Sequence, residues 1–503
     1  MDNTTLNQSD IRRFFIFLAL YFILHIIIRL LISPSVELDE AEQLILSQEI
    51  RWGYGSQPPL YTWLQSGVFL ILGQGIFALA TLKSALLFLT YFFTCLASLE
   101  ITRKVHASLM ASAMLFLVPQ FAWESQRSLT NSVLATMCVA MTFYMFVRLA
   151  KKRTLLHYAA IGVCAGLGLL AKYNYVFFLA ALVLAVFSMK EFRSIFASRK
   201  SLLSLVLMLA ITFFHFQWAL KNMDAALEHV NKSHIGQQMI FLADRFTGIS
   251  SLITAILSFL APLLVACAVF VWRKKKVDEG IHDCGEYGRL MERILLAIFI
   301  FCLIMIVFFR VTHFKDRWMQ PLLLIVPLYL VCRFDMWRRI QGERYFLRLA
   351  ASVAMLVLVA LPSRTLFASV TDSWNCLNKP YEAFARGLKK QGFKEGVIVA
   401  GTREAGGSMK LFFHSSVVVV PDLARFRTPM NVPWLIVWDA DEAGLPKPLQ
   451  DFVANVLGRG DIASVPPKYL TAPYRFGKGK TMMFGYIILN QLSADIRSEG
   501  KRI

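Results

Sequence analysis

The chain has 503 residues, of which 56% belong to the hydrophobic set AVILMFWYC and only 17% are charged. Its mean hydropathy is +0.54. These values exclude a disordered chain, disfavour an ordinary soluble enzyme, and favour a protein that folds in a membrane. A net charge of +20 is compatible with nucleic-acid binding. The basic residues lie between apolar segments, however, so no nucleic-acid partner is expected.

Apolar segments of membrane length follow one another along residues 1–366. A helix needs about 20 residues to cross roughly 30 Å of hydrocarbon. By that measure the sequence predicts eleven transmembrane helices, at 14–33, 76–100, 107–122, 130–149, 155–171, 174–189, 201–219, 249–272, 291–310, 319–334 and 344–363. The predicted fold class is therefore a polytopic α-helical membrane protein.

The loop charges predict the orientation. Positively charged loops resist translocation, and Lys and Arg concentrate in alternate loops if the N-terminus is inside. A twelfth span at 60–75 would reverse every later loop, so this stretch is predicted to lie along the membrane surface. The first apolar run could also be a cleaved signal peptide. Its length and the lack of a small-x-small motif favour a retained span, and eleven spans place the C-terminus outside.

Residues 367–503 are predicted to form a small soluble α/β domain outside the membrane, because glycine, proline and charged residues return there. Strands are predicted at 397–401, 417–421, 434–439 and 484–489, and helices at 381–390 and 403–413. Most of the eight cysteines fall in or beside predicted spans, and only Cys376 is clearly outside. Neither a disulfide framework nor a zinc site is expected.

Four carboxylates follow the first span, at Glu37, Asp39, Glu40 and Glu42. Like charges this close repel one another and raise at least one pKa unless a cation or metal ion compensates. The cluster is either a catalytic site on the outside face or a solvated acidic loop. A divalent cation is compatible with it, but the sequence identifies no metal ligands.

A segment with two prolines and aromatic residues comes next. Gln57, Pro58, Pro59 and Tyr61 form its centre. We interpret them as a loop near the donor or acceptor, although turn chemistry alone explains a Pro-Pro pair equally well.

Lys172 and Tyr173 lie at the predicted outside end between the fifth and sixth spans. A lysine there opposes the positive-inside trend and must be solvated, snorkelled or paired with an anion. Phosphate is the predicted anion, and simple snorkelling is the alternative. Gly166 and Gly168, within the preceding span, are predicted to permit close helix packing rather than to hold phosphate.

A second basic group lies where the ninth and tenth spans meet, at His313, Lys315 and Arg317. Arg317 can bind phosphate by two parallel hydrogen bonds, and Lys315 can act as a point charge. An ordinary charged turn is the alternative. Elsewhere, Glu228, His229 and His234 fit no common metal spacing, so loop solvation or acceptor contact is the preferred interpretation for them.

Taken in order, these motifs resemble those of the GT-C glycosyltransferases. The matching elements are Asp39-Glu40, the PPLY at 58–61, Lys172-Tyr173-Asn174 and the FKxRWxxP at 314–321. More closely, they resemble the bacterial branch related to protein mannosyltransferases, which includes the aminoarabinose transferase of lipid A and the galacturonosyltransferases of lipopolysaccharide core. It extends more weakly to GTREAGGSMKLFFHSSVVVVP at 401–421.

The resemblance implies an enzyme of the bacterial inner membrane. Its donor would be a polyprenyl-phosphate sugar, and its periplasmic acceptor a glycolipid, namely lipid A or lipopolysaccharide core, or a protein. Asp39 would be the catalytic carboxylate and Glu40 would orient the acceptor or a metal, with Lys172, Lys315 and Arg317 at the carrier phosphate. Relatives often have a basic residue before the two prolines, where this chain has Gln57.

A single acidic cluster favours single displacement with inversion. The alternative from another class is a transporter or flippase for a lipid-linked saccharide. Transporters commonly carry polar groups near mid-membrane and have repeated halves. Here the charges gather at the outside ends of the spans and no halves match. A sensor with a ligand-binding outer domain would leave the conjunction of acidic, proline and basic motifs unexplained.

Overall fold

The computed structural model describes residues 8–225, 241–272, 285–333, 343–423, 426–440 and 444–489. These residues form two compact units. The first contains the described parts of Met1–His25, Gly55–Tyr61 and Lys83–Leu358, and the second contains those of Ile26–Tyr54, Thr62–Leu82 and Val359–Ile503.

Helices dominate the chain as far as residue 371. They are α1 Gln8–Ile32, α2 Leu38–Leu46, α3 Leu60–Leu72, α4 Ile76–Thr102, α5 Val105–Ala113, α6 Ser125–Arg127, α7 Thr130–Lys151, α8 Leu155–Ala171, α9 Tyr175–Ser188, α10 Lys190–Phe196, α11 Ser201–Lys221, α12 Phe241–Trp272, α13 Gly285–Phe309, α14 Asp316–Leu322, α15 Val326–Arg333, α16 Glu343–Leu366 and α17 Ala368–Thr371.

Each predicted span overlaps one of these helices or a pair of them. Among the described residues, seven helices are long and apolar enough to cross a membrane, and nine spans result if each of two bent pairs counts as one. The predicted span at 319–334 is divided between the short helices α14 and α15. The chain is thus a polytopic membrane protein, and the number eleven stays a prediction.

One bent pair has an identifiable cause. Val105–Leu117 and Gln120–Arg127 meet at 75°, and Pro119 lies at the break, between a 3₁₀ turn and a π-helical turn. Proline lacks the N–H that would continue the helical hydrogen-bond pattern, and its ring displaces the preceding turn.

Glycines bring neighbouring helices of the first unit into close contact. A Cβ atom on Gly162 would lie 2.4 Å from the backbone oxygen of Ser204, and one on Gly168 would lie 2.1 Å from the Tyr175 ring. A Cβ on Gly166 would meet Ile211 at 3.0 Å. The predicted packing role of Gly166 and Gly168 is confirmed.

The second unit is built around a five-stranded sheet with the order β2-β1-β3-β5-β4. Its strands are β1 Val397–Ala400, β2 Val417–Val419, β3 Trp434–Asp439, β4 Lys468–Pro473 and β5 Thr481–Leu489. The β1 strand pairs in parallel with β2 and β3, whereas β5 runs antiparallel to β3 and β4. Its helices are α18 Tyr381–Lys390, α19 Arg403–Phe412 and α20 Lys447–Asp451, with short helical turns at Cys376–Asn378, Phe452–Val456 and Gly460–Ser464.

The four predicted strands and two predicted helices are present in this unit. The β4 strand was not predicted. It lies at the sheet edge, most of its residues are exposed, and it ends at Pro473, which is a composition typical of edge strands rather than of buried ones. That this domain is soluble and outside the membrane stays a prediction.

The short helix α2 packs into the same unit as the sheet. Ile45 and Leu46 belong to one buried core with the strands, including Val399. A Cβ atom on Gly407 would lie 2.4 Å from the Cα of Ala41, so α2 and α19 meet backbone to backbone. The domain division predicted between residues 366 and 367 stays a prediction, and the acidic segment belongs to the compact unit that contains the sheet.

The helix α3 carries an exposed apolar end. Leu70 is 89% exposed and Ile71 is 81% exposed. Large apolar side chains in such positions are compatible with the predicted location along the membrane surface, which stays a prediction.

Candidate active site

The predicted acidic cluster occupies the N-terminus of α2. Glu37 is the residue before the helix, and its N–H donates a 3.1 Å hydrogen bond to Oε2 of Glu40. Asp39 lies in the first turn and is half-buried. Carboxylates are stabilised at this end because the N-terminus of a helix carries partial positive charge. The interaction of its carboxylate with the N-terminus of α2 therefore favours the position of Asp39.

Glu40 is buried, with 2% of its surface exposed, and it forms an ion pair with Arg29. The guanidinium donates from Nη2 to Oε2 of Glu40 at 2.6 Å and from Nε to Oε1 at 3.2 Å. Arg29 lies in the last turn of α1, where a cation also interacts favourably with the helix dipole. Both oxygens of Glu40 are thus engaged by one arginine, which gives this carboxylate a structural role.

The same arginine organises the segment between α1 and α2. Its Nη1 donates to the backbone oxygen of Ser33 at 2.9 Å and its Nη2 to that of Ser35 at 2.8 Å. The hydroxyl of Ser33 donates to the carbonyl of Leu377 at 2.6 Å, and that of Ser35 donates to the carbonyl of Lys379 at 2.7 Å. The segment that leads to Asp39 is therefore fixed from both sides within the second unit.

Glu42 contacts the sheet-containing part of its unit through Arg403. Nη1 of Arg403 donates to Oε2 of Glu42 at 2.8 Å, and Nε donates to Oδ2 of Asp422 at 2.8 Å. Burial raises the pKa of Glu42 to about 7; the charge of Asp39 acts in the same direction and Arg403 opposes it. Burial, rather than repulsion within the cluster, is thus the main cause of the raised pKa of Glu42.

Glu42→Gln is expected to remove a pH dependence of stability. Because folding raises the Glu42 pKa from 4.5 to about 7, the folded state binds the proton more tightly, and Glu42 disfavours folding progressively as pH rises through this window. The stability of the variant relative to wild type should therefore increase between about pH 4.5 and 7, by no more than about 3 kcal/mol, and then level off. Thermal unfolding midpoints in detergent across this range measure it. A difference that is independent of pH would contradict the assignment.

Lys172 lies in a tight turn after α8. Its Nζ donates to Oγ of Ser132 at 2.6 Å. The turn is anchored by Tyr175, which is fully buried against Gly168 and whose hydroxyl lies 2.7 Å from Oγ1 of Thr142. The ammonium group is thereby held at a defined place in the first unit.

The residues on either side of Lys172 connect it to the second basic group. Tyr173 stacks on His215 with ring centroids 5.8 Å apart, and burial raises the pKa of its hydroxyl to about 12, so it remains a hydrogen-bond donor at neutral pH. Nδ2 of Asn174 donates to the backbone oxygen of Trp318 at 3.2 Å. The two motifs, which are far apart in the sequence, are adjacent in the first unit.

A cavity of about 290 Å³ opens at this junction. Its lining residues are Ser56, Gln57, Lys172, Tyr173, Asn174, Val176, Phe177, Phe301, Cys302, Met305, Val311, Phe314, Trp318, Met319 and Leu322. One part of the wall is polar and contains Lys172, and the rest is apolar or aromatic. The structure therefore brings together three predicted site residues, Gln57, Lys172 and Tyr173.

The other predicted residues are placed differently. Pro58, Pro59 and Tyr61 are buried and are not part of the described cavity lining. His313 and Lys315 are exposed and Arg317 is half-buried; none of the three is part of the described lining, although their neighbours Phe314 and Trp318 are. Partial burial lowers the pKa of Lys315, and repulsion from Arg317 lowers it further by a smaller amount.

Several contributing residues were not predicted. Arg29 was included in the first apolar span, although an arginine within such a run is a signal that a partner must satisfy it. Asn174 and Trp318 belong to the motifs at 172–174 and 314–321, but neither is among the predicted site residues. Nothing in the local sequence indicates Arg403 as the partner of Glu42.

No metal centre is evident among the described residues, since no three His, Cys, Asp or Glu side chains are arranged to hold an ion there. The sequence leaves a divalent cation open, and the described residues assign no ligands to one. Glu228, His229 and His234 lie outside the described residues. The described cysteines, Cys95, Cys138, Cys164, Cys267, Cys302, Cys332 and Cys376, are free thiols.

The fold is shared with a solved membrane protein. The crystal structure of ArnT from Cupriavidus metallidurans bound to undecaprenyl phosphate superposes with a TM-score of 0.59 at 11% sequence identity, covering 93% of this chain and 97% of that one. The apo structure of the same protein gives a TM-score of 0.57 at 10% identity, with the same coverage. This likeness defines the class by fold, a polytopic helical membrane protein of the GT-C type.

Relatives define the family more narrowly. The chain is 33% identical to the lipopolysaccharide core galacturonosyltransferase RgtB of Rhizobium johnstonii, over 97% of this chain and 99% of that protein. It is 28% identical to RgtA of the same organism, over 93% and 95%. The family model for dolichyl-phosphate-mannose-protein mannosyltransferases matches residues 56–218. The chain belongs to the GT-C membrane glycosyltransferases, in the family that contains RgtB, and the predicted resemblance is confirmed.

Proposed function

We propose that this glycosyltransferase moves a galacturonosyl group from a polyprenyl-phosphate carrier to lipopolysaccharide core, at the periplasmic face of the bacterial inner membrane. The relatives RgtB and RgtA are lipopolysaccharide core galacturonosyltransferases, which supports galacturonate as the sugar and lipopolysaccharide core as the acceptor. The observation that carries the proposal is the cavity of the first unit, where the Lys172 ammonium adjoins a wall of apolar side chains such as Phe301 and Met305. A phosphate attached to an isoprenoid chain requires this combination of a cation and an apolar surface.

Lys172 is the proposed main ligand of the carrier phosphate. A cation about 4 Å from a phosphate gains on the order of 4 kcal/mol per unit charge at an effective dielectric near 20, before desolvation is subtracted. As the bond between the anomeric carbon and the phosphate oxygen breaks, negative charge accumulates on that oxygen. Only the part of the attraction that grows in the transition state accelerates transfer.

Lys315, Arg317 and His313 are the proposed second group of donors toward the phosphate, with Tyr173 as a neutral donor beside Lys172. The hydrogen bond from Asn174 to the Trp318 backbone supports this, since it holds the two basic segments together. A guanidinium can bind two phosphate oxygens at once, whereas an ammonium acts as a point charge. Gln57 contributes a neutral amide to the lining.

A second cavity supports a lipid carrier. It also measures about 290 Å³, and its lining, which includes Leu252, Phe299 and Leu330, is almost entirely apolar. It shares Cys302 and Met319 with the cavity that contains Lys172. We assign it to the first isoprene units of the carrier, for which burial of apolar surface supplies affinity.

Asp39 is the proposed general base. The acceptor hydroxyl would give its proton to Asp39 while its oxygen attacks the anomeric carbon, and the polyprenyl phosphate would leave with the bonding electron pair. One displacement of this kind inverts the configuration at the anomeric carbon. Glu40 would act through its ion pair with Arg29, which fixes the turn that carries Asp39, and Pro58, Pro59 and Tyr61 would support the loop that presents Gln57.

The proposal is tested with purified protein in proteoliposomes, radiolabelled polyprenyl-phosphate galacturonate and lipopolysaccharide core. Lys172→Met is expected to lower kcat/KM for the donor about 10–150-fold, because a charged hydrogen-bonding group typically contributes about 1.5–3 kcal/mol. The KM for the acceptor should change little. The matched control is Lys152→Met, an exposed lysine of the same unit.

Two results would contradict this. Equal donor use by wild type and Lys172→Met would remove the phosphate assignment, and failure of wild type to label lipopolysaccharide would remove the proposed acceptor. Arg317→Ala in the same assay should also weaken donor use more than acceptor use; the reverse would place the second basic segment at the acceptor. Mass spectrometry of the product identifies the transferred sugar.

A further inference from the structure

The turn between β4 and β5 presents cations beside aromatic rings. We call residues 474–480, with the sequence YRFGKGK, the basic-aromatic loop. Lys478 and Lys480 are exposed, and Phe476 is 39% exposed although it is a large apolar residue. Sheet formation does not require this composition, because the loop lies beyond the paired residues of both strands.

Trp374 packs against the basic-aromatic loop and forms one surface with it. Its ring centroid lies 5.0 Å from that of Tyr474, and Nζ of Lys480 lies 4.9 Å from the Trp374 ring. The indole N–H donates to Oδ1 of Asp372 at 2.7 Å, and the same oxygen lies 3.5 Å from Nζ of Lys480. These contacts hold rings and cations together.

The surface lies next to the ends of two helices that are long and apolar enough to cross a membrane. Nη2 of Arg475 donates to the backbone oxygen of Leu31, one residue before the end of α1, at 3.4 Å. Trp374 follows Leu366, the end of α16, by eight residues, a distance of less than about 30 Å even for extended chain. Between them, Val370 is 70% exposed. All these residues belong to the second unit.

The charge of this surface favours an anionic partner. Residues 366–374 and 474–480 contain three cations, Arg475, Lys478 and Lys480, and one carboxylate, Asp372. Trp and Tyr favour the headgroup level of a membrane, and lysines near span ends attract anionic lipids. Both preferences are met at one place.

We infer that the basic-aromatic loop and Trp374 bind the phosphate headgroups of anionic phospholipids and so fix the second unit at the membrane surface. Lys478 and Lys480 contact headgroup phosphates, and Trp374, Tyr474 and Phe476 enter the interfacial layer. The partner is the bulk anionic phospholipid of the bilayer, and binding requires neither a sugar donor nor an acceptor. The inference is therefore independent of the proposed transfer reaction.

The test uses the full-length protein in nanodiscs and the fluorescence of Trp374, obtained as the difference between wild type and Trp374→Phe. Phosphatidylglycerol brominated on the acyl chain close to the headgroup should quench this signal more than equally brominated phosphatidylcholine. Half-maximal quenching should need roughly fivefold more phosphatidylglycerol for each lysine removed, so Lys478→Gln/Lys480→Gln should largely abolish the preference. About 0.5 M NaCl should weaken it as well.

The matched control is Lys390→Gln/Lys394→Gln, two exposed lysines of the same unit outside the loop. It should keep the full preference. Equal quenching by the two lipids, or an undiminished preference in Lys478→Gln/Lys480→Gln, would overturn the inference. Quenching that appears only after addition of lipopolysaccharide would also overturn it, because the ligand would then be the glycolipid. Unchanged circular dichroism and gel-filtration elution establish that the variants are folded.

Discussion

Asp39→Asn is expected to lower kcat for sugar transfer about 10²–10⁴-fold, the usual contribution of a general base. The amide has nearly the same shape as the carboxylate but cannot accept the proton that the acceptor hydroxyl loses. Donor affinity should change little, because the proposed phosphate ligands are other residues. Single-turnover transfer of labelled sugar in proteoliposomes, together with donor binding at equilibrium, separates the two effects.

Glu49→Gln is a suitable control for this experiment. Glu49 is a carboxylate of the same unit whose side chain is 41% exposed and pairs with Arg51 at 2.6 Å, so its neutral variant should transfer sugar at nearly the wild-type rate. Transfer at the wild-type rate by Asp39→Asn would remove the catalytic assignment. Detection of sugar covalently attached to Asp39 would replace single displacement by a double displacement with retention.

Arg29→Ala is expected to lower the free energy of unfolding by about 3–5 kcal/mol, because it breaks a buried ion pair and leaves one charge without its partner. The side chains of Arg29 and Glu40 are only 14% and 3% exposed. The variant also removes the donors to the carbonyls of Ser33 and Ser35. Chemical denaturation in mixed micelles measures the loss, and the turn that carries Asp39 should lose its fixed geometry.

Two further variants isolate the ion pair from the general effect of losing an arginine. Arg29→Met/Glu40→Gln should recover much of the stability, because no unpaired charge remains and the amide oxygen still accepts the N–H of Glu37. Arg13→Ala, in the same helix, removes a pair with Asp10 in which the arginine side chain is 77% exposed, and should cost no more than about 1 kcal/mol. A loss for Arg29→Ala as small as that for Arg13→Ala would refute the role of the buried pair.

Much of the fold follows from local sequence signals. A membrane helix must satisfy its backbone internally over about 20 apolar residues, so its position is evident from composition alone. The residues 130–149 predicted as a span lie within α7, one of the seven helices long and apolar enough to cross a membrane. The strand β3 likewise coincides with its prediction, because a run of buried apolar residues bounded by turns favours a strand. The exposed edge strand β4 lacks such a run.

Within the candidate site, the predictable residues are those whose charge differs from the charge expected for their loop. Lys172 opposes the charge asymmetry of the loops. Trp318 lies in a motif that is also predicted at the outside ends of the spans, so the sequence places both residues on the same side of the membrane. Long-range pairing was not predictable. Glu42 and Arg403 are 361 positions apart, and no periodicity or local charge pattern in either segment specifies the other.

The backbone contact between Ala41 and Gly407 limits how this enzyme can be divided. A side chain at position 407 would push α2 away from α19, and α2 carries Asp39. The sheet-containing portion therefore supports α2 and its carboxylates by direct packing. Exchange of C-terminal portions between relatives is a route to new acceptor specificity. Such an exchange would have to transfer residues 26–54 together with the sheet, because α2 has to fit the surface of α19 that it contacts.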